Sequence, residues 1–141
     1  MERFRFGACE WCFPCWGPLS LKMAHEAGFS GMQLGDGGGS LHAYPLLDKS
    51  VQAAYLEAAE RCSMTLQSIH LYTLGHQGYL RSAFDSREGE ICRESIRSGV
   101  LAASEMEIHT VIIDGMRMNT AAKYAHVMKM AQYAVAIAED Y

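Results

Sequence analysis

The sequence has no run of lysine and arginine and no long apolar stretch, and each absence removes a class of partner. It holds 12 Lys and Arg against 16 Asp and Glu, a formal net charge of -4. Without a basic run the chain offers little to a phosphate backbone, so nucleic acid is not expected as a partner. No apolar run approaches the roughly 20 residues that a membrane-spanning helix needs, so no membrane association is expected.

The cysteines do not form an even set, which argues against a disulfide framework. The chain has 5 cysteines beside 9 methionines, a usage typical of a reducing compartment. The opening Met-Glu-Arg-Phe-Arg-Phe also lacks the apolar core of a secretory signal peptide, so a cytoplasmic protein is expected. With 141 residues, 50% hydrophobic and 20% charged, the chain predicts a single domain over residues 1–141.

Short apolar runs alternate with amphipathic helical patterns along the chain. The predicted strands are residues 4–9, 31–34, 66–71 and 110–114. The last of them, Thr110-Val111-Ile112-Ile113-Asp114, is continuously apolar before its acid, which indicates a parallel strand buried on both faces. Four consecutive strand–helix units predict an α/β fold with a parallel sheet. Two architectures fit, an open doubly wound sheet and half of an eight-stranded (βα) barrel.

Capping residues and apolar periodicity predict where the helices begin and which faces they bury. Ser20 is placed to cap the first helix, and Gly28 to end it. Asp85 and Glu88 resemble a capping box for a helix that runs to about Met106. The last helix is predicted to bury Tyr124, Val127, Met128, Ala131, Val135 and Ala138.

Polar side chains are predicted to converge where the strands end. The more apolar parity of each strand should face the helices, which directs the other parity toward the barrel axis or crevice. In parallel α/β folds, ligands bind outside the carboxyl ends of the strands. The predicted mouth is formed by Trp11, Gln33, Asp36, His70, Asp114 and Glu10. Taken singly, His70 is more simply a core histidine and Asp114 a turn residue, but polar groups at every strand end favour a site.

Several segments match one known pattern. They are Glu10-Trp11-Cys12-Phe13-Pro14, Ala27-Gly28-Phe29-Ser30-Gly31-Met32-Gln33-Leu34, Pro45-Leu46-Leu47, Ala54-Tyr55-Leu56-Glu57-Ala58 and Ser68-Ile69-His70-Leu71. The chain resembles the sugar phosphate isomerase/epimerase family, which has the xylose isomerase-like TIM barrel fold. The match runs over nearly the whole chain, and the segment ending in Gly-Phe-Ser-Gly-Met-Gln-Leu is fairly specific.

The resemblance implies a barrel of eight units and about twice this length, of which this chain is the N-terminal half. It implies a sugar or sugar phosphate isomerase or epimerase, in which a divalent metal (Mn, Mg or Zn) polarises the sugar while carboxylates move a proton. The metal ligands of the family come from the fifth strand onward, so neither they nor a catalytic residue are assigned here. Trp11 is expected to stack on the sugar, and Gln33, Asp36, His70 and Asp114 to contact it as polar groups.

A half-barrel leaves its inner apolar layers and two strand edges open to water, which costs stability and invites association. The expected partner is a second copy, in a homodimer that closes an eight-stranded barrel or exchanges elements, or a separate chain with the complementary half-barrel. Such a partner is expected whether the chain is a naturally separate half-barrel or a truncated form of a longer protein.

Three alternative functions stay open at this point. A non-catalytic half-barrel would bind a sugar or only assemble, and would fail to turn over a ketose or ketose phosphate with Mn or Mg. The spacing Cys9-x2-Cys12-x2-Cys15 is loosely similar to the loop of iron–sulfur radical enzymes, which have three residues between the first two cysteines. Zinc-dependent apurinic endonucleases share the barrel superfamily, but only His70 is placed as a ligand and the charge is wrong for DNA.

Overall fold

The computed structural model describes residues 5–36, 45–113 and 121–141, which form a parallel sheet packed against helices. The strands are β1 (Gly7–Cys9), β2 (Gly31–Gly35), β3 (Thr65–His70) and β4 (Val111–Ile112). The helices are α1 (Pro18–Glu26), α2 (Lys49–Arg61), α3 (Tyr72–Gln77), α4 (Arg87–Glu105) and α5 (Ala121–Glu139). Short 3-10 helices span Glu10–Cys12, Pro45–Leu47 and Tyr79–Arg81. None of the described helices is both long and apolar enough to cross a membrane.

The strands lie side by side in the order β1-β2-β3-β4, and all three pairings are parallel. A doubly wound sheet reverses its strand order at a switch point, and the described strands have no such reversal. The predicted α/β class and parallel sheet are therefore confirmed, and the open doubly wound alternative is not the arrangement observed. The carboxyl ends of all four strands lie at one edge, where the predicted mouth is located.

One face of the sheet is buried under the helices, as predicted from strand parity. Met32, Leu34, Ile69 and Leu71 are each 0% exposed on this face. Leu71 lies against α4, since a Cβ added to the α4 residue Gly99 would come within 2.6 Å of Leu71 Cδ2. Each of these four side chains contributes roughly 1.5–3 kcal/mol through burial, so they anchor the central strands.

The exposure of Phe6 contradicts the prediction that the first strand buries its aromatic residues. The side chain of Phe6 is 69% exposed, because β1 begins only at Gly7 and leaves Phe6 ahead of the paired residues. The partner residue of that prediction, Phe4, lies outside the described residues. Val111 and Ile113, by contrast, pack against the core as expected.

The opposite face of the sheet is filled at its amino end by Gln67. The pairing of β2 with β3 has a bulge that skips Gln67, because Met32 pairs with Leu66 while Gln33 pairs with Ser68. The Gln67 side chain lies over two glycines: a Cβ added to Gly31 would come 2.6 Å from Gln67 Cδ, and one added to Gly7 would overlap Gln67 Oε1. The bulge therefore places the polar side chain of Gln67 over β1 and β2, near the amino ends of these strands.

Two helix starts differ from the prediction. Ser20 lies in the first turn of α1 and not at its cap, and its hydroxyl donates to the Gly17 carbonyl at 2.7 Å. At α4 the cap is Ser86, whose Oγ accepts from the Gly89 N–H at 3.1 Å, and not Asp85. Serine and aspartate are both good caps, so the sequence alone does not separate adjacent candidates.

The last helix buries Val127 as predicted, but the rest of its buried stripe differs from the one predicted. Val127 and Met130 are buried, and Tyr133, Ala134 and Ile137 also pack against the core. Four members of the predicted stripe are exposed, namely Tyr124 (52%), Met128 (38%), Val135 (59%) and Ala138. Apolar residues occur on both sides of α5, so periodicity alone does not identify the buried face. The segment after β3, predicted to be a loop, forms α3 and a 3-10 helix.

Candidate functional site

Three aromatic side chains cover the carboxyl edge of the sheet, and we call Trp11, His70 and Tyr72 the aromatic cluster. Trp11 lies in the 3-10 helix after β1, and its ring centroid is 5.0 Å from that of His70. Tyr72 stacks on Trp11 at 6.1 Å with an interplanar angle of 26°, and meets His70 at 6.0 Å and 77°. Rings attract one another at centroid separations of about 4.5–7 Å. The cluster therefore links the end of β1 to the end of β3 across β2.

The cluster has a buried side and an open side. His70 is 6% exposed, Tyr72 is 39% exposed, and Trp11 is partly buried. His70 is the last residue of β3 and pairs in register with Gly35 of β2 on one side and Ile112 of β4 on the other. A ligand that approaches from solvent would therefore meet the rings of Tyr72 and Trp11 before the imidazole.

Asp36 directly follows β2 and is 6% exposed. Its Oδ2 accepts from the Thr73 N–H at 2.7 Å, in the first turn of α3, where a carboxylate is stabilised by unpaired backbone donors. Its Oδ1 is buried and has no hydrogen-bond partner within residues 5–36, 45–113 and 121–141. That oxygen keeps its capacity to accept a hydrogen bond at the carboxyl edge of the sheet.

Gln33 lies on β2, two residues before Gly35, which pairs in register with His70. It pairs in register with Cys9, and its Oε1 accepts from Cys9 Sγ at 3.3 Å. Because side chains alternate along a strand, Gln33 and Gly35 share a face, and Gly35 is the register partner of His70. Gln33 therefore lies on the same side of the sheet as the aromatic cluster.

Glu10, expected at the mouth, is instead part of the interior. It is 0% exposed, and its Oε1 accepts from the Gly17 N–H at 2.8 Å and from the Tyr55 hydroxyl. Its Oε2 accepts from the Gly35 N–H at 2.9 Å. One carboxylate thus joins the loop after β1, the end of β2 and helix α2, and fixes the residue next to Trp11.

Tyr55 donates to this carboxylate from α2. Burial, with the hydrogen bond and the charge of Glu10 adding to it, raises the pKa of the Tyr55 phenol far above its ordinary value. The phenol therefore stays protonated, which is the state that can donate to Glu10.

The structure brings some of the predicted site residues together and leaves one untested. Trp11 and His70 are in contact, and Gln33 and Asp36 flank the register partner of His70. Asp114 lies outside the described residues. Tyr72 was missed by sequence analysis, although an aromatic residue two positions after a strand-ending histidine was an available signal.

The described residues hold no group of three or more His, Cys, Asp or Glu side chains that could bind a metal ion. The divalent metal implied by the resemblance therefore has no ligand set in this part of the chain, and we assign no chemical step to one. The three loop cysteines do not converge either. Cys15 Sγ lies 3.5 Å from Met23 Sδ, toward α1, whereas Cys9 Sγ donates to Gln33.

A groove of about 720 Å³ lies away from the aromatic cluster, beside β4. Its largely apolar lining comes from the end of α4, from β4 and from α5, and includes Val100, Ile108, Val111, Ile113, Ala134 and Val135. None of the predicted site residues within the described chain lines this groove. We therefore place the candidate ligand site at the aromatic cluster and treat the groove as a packing surface.

The fold and the cluster define an α/β protein with an aromatic and polar carboxyl edge on a sequentially ordered parallel sheet. Comparison with family models and with curated proteins found no match to this chain.

Proposed function

We propose that this chain is the first half of a sugar or sugar phosphate isomerase/epimerase-like barrel, and that the aromatic cluster forms one wall of its sugar pocket. The observation that carries the proposal is the packing of Trp11 on His70 and Tyr72 at the carboxyl edge of the sheet. Ligands of parallel α/β folds bind at that edge. The sequential strand order is the order expected of consecutive units in a (βα) barrel.

The chemistry of the cluster suits a sugar. A sugar ring has an apolar C–H face with hydroxyl groups around it, so it is bound best by a flat aromatic surface beside a few polar groups. Trp11 and Tyr72 offer that surface from the open side. Asp36 lies at the same edge, and its buried Oδ1 has no hydrogen-bond partner among the described residues, so an acceptor is in place beneath this surface. We assign binding and orientation of the sugar to these residues.

The proton transfer itself is not assigned to this part of the chain. A second candidate is a non-catalytic half-barrel that binds a sugar or assembles, since the aromatic surface of Trp11 and Tyr72 suits binding with or without a chemical step. Turnover of a ketose or ketose phosphate in the presence of Mn or Mg supports the enzyme. Sugar binding without turnover supports the non-catalytic candidate.

Replacing Trp11 by alanine is expected to weaken sugar binding about tenfold, because losing an aromatic contact of about 1.4 kcal/mol changes an equilibrium constant by that factor. Isothermal titration of the full chain with ketoses, aldoses and their phosphates measures the effect. Tyr124→Ala is the matched control, since it removes an aromatic ring that is 52% exposed on α5. Equal affinity of the Trp11→Ala and Tyr124→Ala variants would count against the proposal, as would absence of binding by the folded wild-type chain.

We further propose a second copy of the chain as the partner that completes the pocket. Among the described strands, β1 and β4 are the edges of the sheet. All pairings are parallel, so β4 of one copy can pair with β1 of the next, and a two-fold axis then closes eight strands without a free edge. Ile112 on β4 is 36% exposed, and its neighbours Val111 and Ile113 line the apolar groove. Both features are suited to burial against further strands and helices.

Sedimentation equilibrium is expected to give a mass of about twice the 15.6 kDa of the chain. Ile112→Lys is expected to raise the dimer dissociation constant about 100-fold, since burying an unpaired charge at a strand edge costs at least the 2.7 kcal/mol of that factor. Leu56→Lys, at a residue 42% exposed on α2, is the matched control and should leave the dimer intact. A folded wild-type chain that stays monomeric at high concentration contradicts the second copy as partner.

A further inference from the structure

Cys9 and Cys12 form a pair of thiols beside the aromatic cluster. Cys9 is the last residue of β1 and the N-cap of the 3-10 helix Glu10–Cys12. A 3-10 helix rises about 2.0 Å per residue and brings the side chains of residues three apart onto the same side. The backbone therefore separates the two Cα atoms by roughly 6 Å, within the range of about 4.4–6.8 Å found in disulfides.

The two thiols interact and differ in accessibility. Cys12 is exposed, while Cys9 is only partly so. Burial, and after it the neighbouring Cys12 thiol, raises the pKa of the Cys9 thiol. A reagent from solvent therefore reaches Cys12 first, and the less accessible Cys9 thiol lies next to it.

Cys15 has the same spacing from Cys12 but a different position. The 3-10 helix ends at Cys12, and the next residue, Phe13, is extended, with φ -104° and ψ 154°. The chain therefore moves away from Cys12, and Cys15 Sγ lies 3.5 Å from Met23 Sδ on α1. The fold selects Cys9 as the neighbour of Cys12.

We propose that Cys9 and Cys12 are a reversible dithiol–disulfide pair whose state sets the position of Trp11, which lies between them in the chain. The oxidant is the disulfide of a small thiol. The Cys12 thiolate attacks one sulfur of that disulfide and expels the first small thiolate. The Cys9 thiolate then attacks Cys12 Sγ of the mixed disulfide and expels the second. The two protons released by the cysteines are taken up by the two small thiols, so the external disulfide is reduced as the pair is oxidised.

Oxidation changes two contacts of the candidate site. The Cys9 thiol loses the proton that it donates to Gln33 Oε1. The new bond also closes a small ring around Glu10 and Trp11, so the indole that packs on His70 must adjust to it. The pair therefore couples thiol redox state to the aromatic cluster, independently of which ligand the cluster binds.

Titration of the full chain with oxidised glutathione, followed by intact mass measurement, tests the bond. The wild type and Cys15→Ser should each lose the mass of two hydrogen atoms and regain it with dithiothreitol. Cys9→Ser should retain a glutathione on Cys12, because the thiol that would displace it is missing, and Cys12→Ser should form no internal disulfide. Cys15→Ala serves as a second variant. If circular dichroism shows that Cys15→Ser and Cys15→Ala are folded, yet neither forms the Cys9–Cys12 disulfide, the proposal is overturned.

Fluorescence tests the coupling to Trp11. The chain has 2 tryptophans, so Trp16→Phe leaves Trp11 as the single indole emitter. Its emission should fall on oxidation and recover on reduction, whereas the same protein with Cys12→Ser added should not respond. An emission that is identical in the oxidised and reduced forms overturns the coupling.

Discussion

Replacing Glu10 by leucine is expected to lower the free energy of unfolding by about 3–5 kcal/mol, because several donors lose their acceptor together. Glu10 is 0% exposed and accepts from the Gly17 N–H, the Gly35 N–H and the Tyr55 hydroxyl. A buried donor left without an acceptor costs about 1–3 kcal/mol, and leucine supplies none to these three groups. Urea unfolding of both proteins measures the difference.

Two further variants make this expectation specific. Glu57→Leu removes an exposed carboxylate, whose ion pair with Arg61 at 3.6 Å joins side chains 66% and 70% exposed, and should change stability by less than about 0.5 kcal/mol. Tyr55→Phe removes only one of the donors to Glu10 and should cost about 1 kcal/mol. If Glu10→Leu lowers the free energy of unfolding as little as Glu57→Leu does, the buried carboxylate does not hold these segments together.

Glu10 also links the stability of the fold to the candidate site. It precedes Trp11 within the same 3-10 helix, and it is bonded to Gly35, the register partner of His70. The position of the indole against the imidazole therefore depends on the buried carboxylate that precedes it. Glu10 is a positioning residue for the aromatic cluster, whatever ligand the cluster binds.

The parts of the fold that depend on local pattern could be predicted from the sequence. The second strand was predicted at residues 31–34 and is observed at Gly31–Gly35. The third was predicted at residues 66–71 and is observed at Thr65–His70, so no end differs by more than one residue. Their apolar parity correctly identified the buried face, because side chains alternate along a strand. The contact of Trp11 with His70 follows from the same logic, since the ends of parallel strands meet at one edge.

The burial of Glu10 could not be predicted, because its donors come from the loop at Gly17, from β2 and from α2. No neighbouring residue distinguishes this acid from one in a solvated loop. The bulge at Gln67 is similar, since it depends on space left by glycines on two other strands. Contacts that join distant segments are decided by packing, which a local pattern does not contain.

Replacing Gly89 by alanine is expected to lower the free energy of unfolding by about 2–3 kcal/mol, although alanine is the better helix former by about 1 kcal/mol. Gly89 is buried in the first turn of α4, and an added Cβ would overlap the Ala83 carbonyl oxygen and lie 2.5 Å from that of Phe84. These are backbone atoms, so a rotamer change cannot relieve the overlap. The Phe84 carbonyl also accepts from the Arg93 guanidinium, whose centre lies 4.5 Å from the Phe84 ring, which holds this turn in place.

Gly99→Ala provides the matched control, because it adds the same methyl group ten residues further along the same helix. Its Cβ would come 2.6 Å from Leu71 Cδ2, the end of a flexible side chain that can shift. Helix propensity favours alanine equally at both positions, so the difference between the two variants isolates the cost of the backbone overlap. Thermal or urea unfolding should rank Gly89→Ala as clearly the less stable of the two. The reverse order would mean that the turn at residues 83–84 yields more easily than Leu71, and that α4 is fixed by its packing on the sheet and not by its first turn.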